Sequence, residues 1–128
     1  MLVGTGTDLV EIARVTASIA RFGDRFLARI FTPGEIAYCS RKKNAAESYA
    51  ARFAAKEAGA KALGTGISRG VSWQELEVRR SAGQRPELHF SGRAAELAKA
   101  MGVTNISLSL THTRDLAMAV VLLEDGES

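Results

Sequence analysis

Arg52-Phe53-Ala54-Ala55-Lys56-Glu57-Ala58, running on through Lys61 to Gly64-Thr65-Gly66, is the stretch from which this chain is best read. It lies within residues 44–63, a segment rich in alanine and free of proline, and that composition predicts one long helix. On a helical wheel Ala46, Ala50, Phe53, Ala54, Glu57 and Lys61 recur at spacings of three and four and share a face. That face is small and apolar, so Glu57 is expected where the helix packs. A carboxylate there needs an ion pair, a hydrogen bond or a metal, because a bare buried charge is too costly. Lys61, one turn on, is the expected partner. An ion pair at the rim of a core is the plain alternative to a functional site.

Outward from this helix, composition sets the limits. The chain has 128 residues, 46% hydrophobic and 24% charged, which suits one soluble domain with a modest core. A formal charge of +3, from 17 basic and 14 acidic residues, suits an anionic partner without demanding one. The single cysteine, Cys39, excludes an internal disulfide and a cysteine zinc cluster, and a reducing cytoplasm fits best. The first residues lack the basic and apolar regions of a signal peptide. No stretch approaches the roughly 20 apolar residues that span a bilayer, so no membrane role is expected.

Taken in order, residues 2–8 predict a short first strand with Gly4 and Gly6 open to close backbone approach. Asp8 ends that strand and has N-capping of the next helix as its plain reading. Residues 11–26 carry Ile12, Val15, Ile19 and Phe22 or Phe26 at helical spacing, interrupted at Gly23. Arg14, Arg21, Arg25 and Arg29 punctuate them, either as a solvated face or as a docking face for an acidic partner. Thr32-Pro33-Gly34-Glu35 predicts a helix start with a capping box, followed by a basic link over residues 40–44. Gly64 ends the long helix, and the glycine-rich loop 65–70 exposes amides that could take an anion. It has no Walker spacing.

Residues 76–80 and 87–90 alternate and predict a hairpin, after which Ser91 caps a helix over residues 92–100 that Gly102 stops. Residues 105–113 place Ile106, Leu108, Leu110 and His112 on one face. With the apolar run 116–123 they predict a second hairpin at the centre of the sheet, and the polar tail 124–128 is expected to fray. The order of elements is that of a single α+β domain, an antiparallel sheet packed against a long central helix.

Asp8 and Glu57 come from distant elements. If the first strand lies beside the long helix, the two carboxylates can converge on one hard cation, an arrangement characteristic of magnesium. Three stretches taken together, Gly6-Thr7-Asp8-Leu9-Val10-Glu11-Ile12, Arg52-Phe53-Ala54-Ala55-Lys56-Glu57-Ala58 and Lys61-Ala62-Leu63-Gly64-Thr65-Gly66-Ile67, resemble the holo-acyl-carrier-protein synthase family. The strand end Ser109-Leu110-Thr111-His112-Thr113 adds to the likeness, which extends from Met1 to about Leu123.

The resemblance implies a 4′-phosphopantetheinyl transferase fold and reaction. The phosphopantetheine arm of coenzyme A would pass to a serine of apo-acyl carrier protein, releasing 3′,5′-ADP, in fatty acid biosynthesis. It makes Asp8 and Glu57 magnesium ligands and catalytic groups and gives Lys61 the neutralisation of phosphate charge. Either Glu57 or a water on the metal is the base for the serine. The resemblance further implies coenzyme contacts from Arg52, Lys61, Gly64, Thr65, Gly66, His112 and Thr113. Arg14, Arg21 and Arg25 would dock the acidic carrier protein. It also implies a homotrimer with active sites between subunits, which suits Arg52 because that residue points away from the Glu57 face.

Two features depart from the family. The turn Gly83-Gln84-Arg85-Pro86 is one residue longer than the usual Gly-Lys-Pro, and His112-Thr113 is not universal, so His112 takes an ancillary role. Against the transferase stand two other readings. A non-catalytic module binding an acidic protein or a nucleotide would have no need of Asp8 and Glu57 together. A nucleic-acid partner is disfavoured, because aromatics make up only 6% of residues and none interleave with basic ones.

Overall fold

The computed structural model describes residues 1–126. Strand β1 (Leu2–Glu11) is followed by α1 (Ile12–Phe22), α2 (Asp24–Ile30), α3 (Pro33–Ser40) and the long α4 (Ala45–Ala62). After a 3-10 turn at Trp73–Glu75 come β2 (Leu76–Arg79), β3 (Glu87–Phe90), α5 (Gly92–Ala100), β4 (Val103–His112) and β5 (Leu116–Asp125). Among the described residues the strands form a three-stranded antiparallel sheet in the order β1-β5-β4 and a separate two-stranded hairpin, β2-β3.

Helix α4 lies between these two sheets, and its small residues permit it. A Cβ placed on Gly6 of β1 would fall 1.9 Å from the Ala58 carbonyl oxygen, and one on Gly4 would fall 2.4 Å from that of Ala62. On the opposite side a Cβ on Gly59 would meet Leu88 and Leu76 of the hairpin at 2.8 and 2.9 Å. Ala54, Ala55, Ala58 and Ala60 are therefore fully buried, and the helix is covered almost all round. The inner face of β5, Ala117, Ala119, Val121 and Leu123, is likewise fully buried.

The covering includes charge. Lys56 and Glu35 are both sealed from solvent, with Nζ and Oε1 2.6 Å apart. Each is saturated by further bonds. Lys56 Nζ donates to the carbonyls of Trp73 (3.0 Å) and Leu76 (2.6 Å). Glu35 accepts from the amides of Thr32 (2.9 Å) and Val78 (2.7 Å). Burial draws the Lys56 pKa below its ordinary value, and the attraction of Glu35 opposes that shift. A buried pair so fully hydrogen-bonded ties α3, α4 and the hairpin into one body.

Several expected boundaries hold. Helix α4 ends at Ala62, with Leu63 as its C-cap and Gly64 in the left-handed region (φ 85°), Gly23 divides α1 from α2, and Thr32 and Glu35 form the capping box of α3. Others are corrected. β1 continues past Asp8 to Glu11, so Glu11 and not Asp8 occupies the N-cap position of α1. The burial stripe of α4 is also rotated: Arg52, Lys56 and most of the alanines are buried while Phe53 and Glu57 are half-buried and Lys61 is exposed. A two-sided contact cannot be inferred from one apolar face. Ser91 holds the N-cap position of α5 without a side-chain bond, because the Glu75 carboxylate accepts from the Arg93 amide there. β5 is central as expected, but β4 is an edge strand. β5 also runs through Asp125, whose carboxylate meets the N-terminal ammonium at 3.1 Å, so the expected fraying does not start at residue 124. Glu127 and Ser128 lie outside the described residues.

Because the Gly6 contact is backbone against backbone, neither side can yield by a rotamer change. We expect Gly6→Ala to destabilise the fold by about 3 kcal/mol. Urea unfolding should show a lower midpoint at unchanged slope; a midpoint within experimental error of the parent would mean that β1 and α4 part easily.

Candidate active site

The close packing of β1 on α4 decides where Asp8 goes. In the sheet Asp8 pairs with Ala119, whose side chain is fully buried, so its carboxylate shares the inner face and turns toward α4. There Lys61 Nζ lies 2.9 Å from Asp8 Oδ1 and donates to the Thr7 carbonyl at 3.1 Å. The expected Glu57–Lys61 ion pair is thus replaced by an Asp8–Lys61 pair, because the strand offers lysine a carboxylate and a carbonyl together.

Glu57 lies one turn earlier on α4 and shares with Asp8 a cleft of about 360 Å³, which Arg14, Ser18, Phe26 and Phe53 also line. Burial and the negative charge of Asp8 both raise the Glu57 pKa above its usual 4.5, and Lys61 offsets part of that rise. Two carboxylates are thus held in one concave site with Lys61 paired to only one of them, which favours a cation. Among the described residues no group of three or more His, Cys, Asp or Glu side chains converges as metal ligands. A cation at Asp8 and Glu57 would take its remaining oxygens from water and a bound substrate, the habit of magnesium. The donor set therefore fits a hard divalent ion.

The other expected site residues stand elsewhere within one chain. Arg52 is only 4% exposed and packs over the Tyr38 ring, away from the cleft. His112 lies on the inner face opposite Ala117, and its Nε2 is 3.1 Å from Glu47 Oε1 at the first turn of α4. Thr113 Oγ1 accepts from the Asp115 and Leu116 amides of the β4–β5 turn. The amides of Gly64, Thr65 and Gly66 donate to the Lys61 and Ala60 carbonyls, so they close the helix end and are not free for an anion. That part of the loop reading is corrected: capping had the first claim on those donors. Arg14, Arg21 and Arg25 are exposed on α1 and α2, with Arg14 3.7 Å from Glu11 and Arg21 5.1 Å from the Phe22 ring centroid.

Sequence reasoning passed over Phe53, Phe26 and Ser18 as cleft walls. Phe53 carried the available signal, standing four residues before Glu57 on the same face. A larger hollow, about 680 Å³, lies between β3, α5 and β4 against Leu88, Phe90, Ala98 and Ile106, apart from both carboxylates. Buried Cys39 has its thiol pKa pushed up to about 11, so it is not a nucleophile.

With this geometry in view, the comparisons with known proteins are specific. The sequence profile of the 4′-phosphopantetheinyl transferase superfamily matches residues 4–121. A holo-acyl-carrier-protein synthase of Koribacter versatilis is 54% identical over 98% of this chain and 100% of its own length. The crystal structure of the synthase from Neisseria meningitidis superposes with a TM-score of 0.87 at 36% identity, covering 98% of this chain and 100% of that one. The Helicobacter pylori synthase, solved in complex with coenzyme A, gives a TM-score of 0.82 at 33% identity over 94% and 99% of the two chains.

The chain belongs to the 4′-phosphopantetheinyl transferase superfamily, in its holo-acyl-carrier-protein synthase branch. It is an enzyme of lipid metabolism that transfers phosphopantetheine from coenzyme A to acyl carrier protein. No helix among the described residues is long and apolar enough to cross a membrane.

A folded-state pKa above the unfolded one contributes stability that is present below the unfolded value and lost as pH rises through the folded value. At pH 7 the ionised Glu57 therefore opposes folding. In buffer free of divalent cations we expect Glu57→Gln to melt at a higher temperature than the parent at pH 7, with the gap closing near pH 4. A lower melting temperature for the variant at pH 7 would contradict this electrostatic account.

Proposed function

We propose that the transfer takes place at the Asp8–Glu57 cleft, with Mg2+ held by these two carboxylates as a required cofactor. The observation that carries this reading is the convergence of Asp8 from the first strand and Glu57 from the central helix on a single concave site, with Lys61 paired to Asp8. Bound there, the ion would supply Lewis-acid stabilisation of the charge that develops on the coenzyme's pyrophosphate. Hard-oxygen donors would also accept Mn2+.

The chain's own groups account for the rest. Lys61, already directed at Asp8, adds a positive charge for a phosphate oxygen. The serine hydroxyl of the carrier protein attacks phosphorus, and the bond to the 3′,5′-ADP leaving group breaks. The serine's proton must leave as the new bond forms. Glu57 or a water molecule in the cleft would take it. Arg52, His112 and Thr113 are assigned to the distal part of the coenzyme, its 3′-phosphate and adenine. Gly64, Thr65 and Gly66 shape a wall beside it. Arg14 lines the cleft and, with Arg21 and Arg25 exposed on α1 and α2, is suited to steer an acidic carrier protein to it.

The assembly we infer is a homotrimer with sites between subunits. Two features support it. The outer face of the sheet leaves Leu9 61%, Met118 36% and Leu122 37% exposed, flanked by Thr5, Thr7, Ser107 and Ser109. Such a contiguous apolar stripe suits contact with further copies of the chain. And Arg52 and His112, which do not reach the cleft of their own chain, could serve a site completed by a neighbour. A cytoplasmic location is part of the same reading, since both substrates are found there.

Intact-mass analysis of apo-acyl carrier protein incubated with this enzyme, coenzyme A and Mg2+ tests the site. We expect a gain of one phosphopantetheine group, lost with a chelator and reduced at least 1,000-fold (about 4 kcal/mol) in Glu57→Gln. Transfer undiminished by either would remove Glu57 and the metal from the reaction. A non-catalytic module would give no mass gain at all. For the assembly, light scattering should give three chains for the parent and one for Leu122→Glu. A monomeric parent at assay concentration would leave each site to be built by one chain.

A further inference from the structure

Arg52 is bound in an unusual way for a buried cation. Its guanidinium carbon stands 4.3 Å from the centroid of the Tyr38 ring, and Nη1 makes one long hydrogen bond, 3.4 Å, to the Ser48 carbonyl. Its Nε is buried and has no hydrogen-bond partner. A second cation shares the ring, with Lys42 Nζ 4.6 Å from the same centroid. Among the described residues neither Arg52 nor Lys42 nor nearby Arg80 makes an ion pair with a carboxylate. Burial by itself would push the Tyr38 phenol up, yet a hydrogen bond from Lys42 and the charges of Arg52, Lys42 and Arg80 bring it below its ordinary value. Other buried charges of the chain behave differently: Lys56 and Glu35 saturate each other and their surroundings.

We propose that Tyr38 is a positioning residue for coenzyme binding: its ring holds the Arg52 guanidinium, with Lys42 over the same ring, as a preassembled receptor for a phosphate of the coenzyme. The proposal rests on the assignment of Arg52 to the coenzyme made above. Two cations gathered at one ring repel and would turn to solvent without something to hold them. The negative face of an aromatic ring attracts both at once without neutralising either, so the pair stays positive and waits in place. A carboxylate in that position would hold the arginine equally well and cancel the charge the ligand needs. The planar guanidinium keeps its edge donors free of the ring when its face is stacked, and Nε is the one left without a partner. The geometry is firm because Tyr38 belongs to α3 and Arg52 to α4, and the Glu35–Lys56 pair locks those helices together. Ordering done before binding lowers the entropic cost of capture. The reacting pyrophosphate belongs to the Asp8–Glu57 cleft, which leaves the phosphate monoester at the coenzyme's other end for this receptor.

Steady-state transfer with coenzyme A and with 3′-dephospho-coenzyme A, in the full-length enzyme, tests this. Tyr38→Leu should raise the KM for coenzyme A roughly tenfold. Its kcat, and its KM for the dephospho compound, should stay within about twofold of the parent. Tyr38→Phe, which keeps the ring and loses only the hydroxyl, should restore the parental KM. Arg52→Ala should show the same selective loss as Tyr38→Leu. If Arg52→Ala raises the KM and Tyr38→Leu does not, the positioning role is overturned while the assignment of Arg52 stands. If Arg52→Ala leaves both coenzymes unaffected, the assignment of Arg52 fails and the proposal with it. An equal loss of kcat with both coenzymes would reduce Tyr38 to a packing residue, and a Phe variant as impaired as Leu would move the role to the hydroxyl. Should Tyr38→Leu fail to fold, Tyr38→Met, a flexible filler of similar size, carries the same expectation.

Discussion

The contact on which the rest of this structure depends is the approach of β1 to α4 at Gly6 and Ala58. With no Cβ on the strand and only a methyl group on the helix, the two backbones come closer than ordinary side chains allow. Everything at the site follows from that distance. Asp8 stands two residues beyond Gly6 on the same face of the strand, and Lys61 stands three beyond Ala58, so closing one contact closes the other. Gly59 does the same for the hairpin on the far side. A helix of alanines and glycines between two sheets contributes little side-chain area of its own. Its stabilisation comes from the fit of its neighbours around it.

Charge is used in three different ways along this one helix. At Lys56 it is buried, paired and saturated, and its work is to hold α3 and the hairpin against α4. At Glu57 it is half-buried beside a like charge, which opposes folding. At Arg52 it is buried over an aromatic ring with a donor unsatisfied. Neighbouring residues on a helix point about 100° apart, so such environments can be adjacent in sequence without sharing space. The saturated pair supplies rigidity. The unsatisfied groups use it, since a strained charge is retained only where its surroundings cannot relax.

Much of this was legible from residue order. The limits of α4, the break at Gly23, the capping box at Thr32 and the β2-β3 hairpin depend on local chemistry: backbone propensity, a left-handed glycine, reciprocal hydrogen bonds within four residues. Asp8 and Glu57 were legible as a pair because a carboxylate on a small-residue helix demands an explanation. The partner of Lys61 was not legible. A neighbour one turn away on the helix satisfies the local pattern, and the strand that displaces it is more than fifty residues distant. The free amides of the glycine loop failed similarly, since helix termination took them.

By itself, then, the sequence determined which segments are helix and strand, that a sheet would meet a small-residue helix, and which family the chain resembles. These are matters of local conformational preference and of residue type at fixed spacing. Only the tertiary structure decided which face of α4 meets which sheet, that Lys56 and not Glu57 is the deeply buried charge, and that Lys61 belongs to Asp8. Those choices are made between atoms far apart in the chain. Their energies depend on distance and burial that do not exist until the backbones of β1 and α4 have closed on each other.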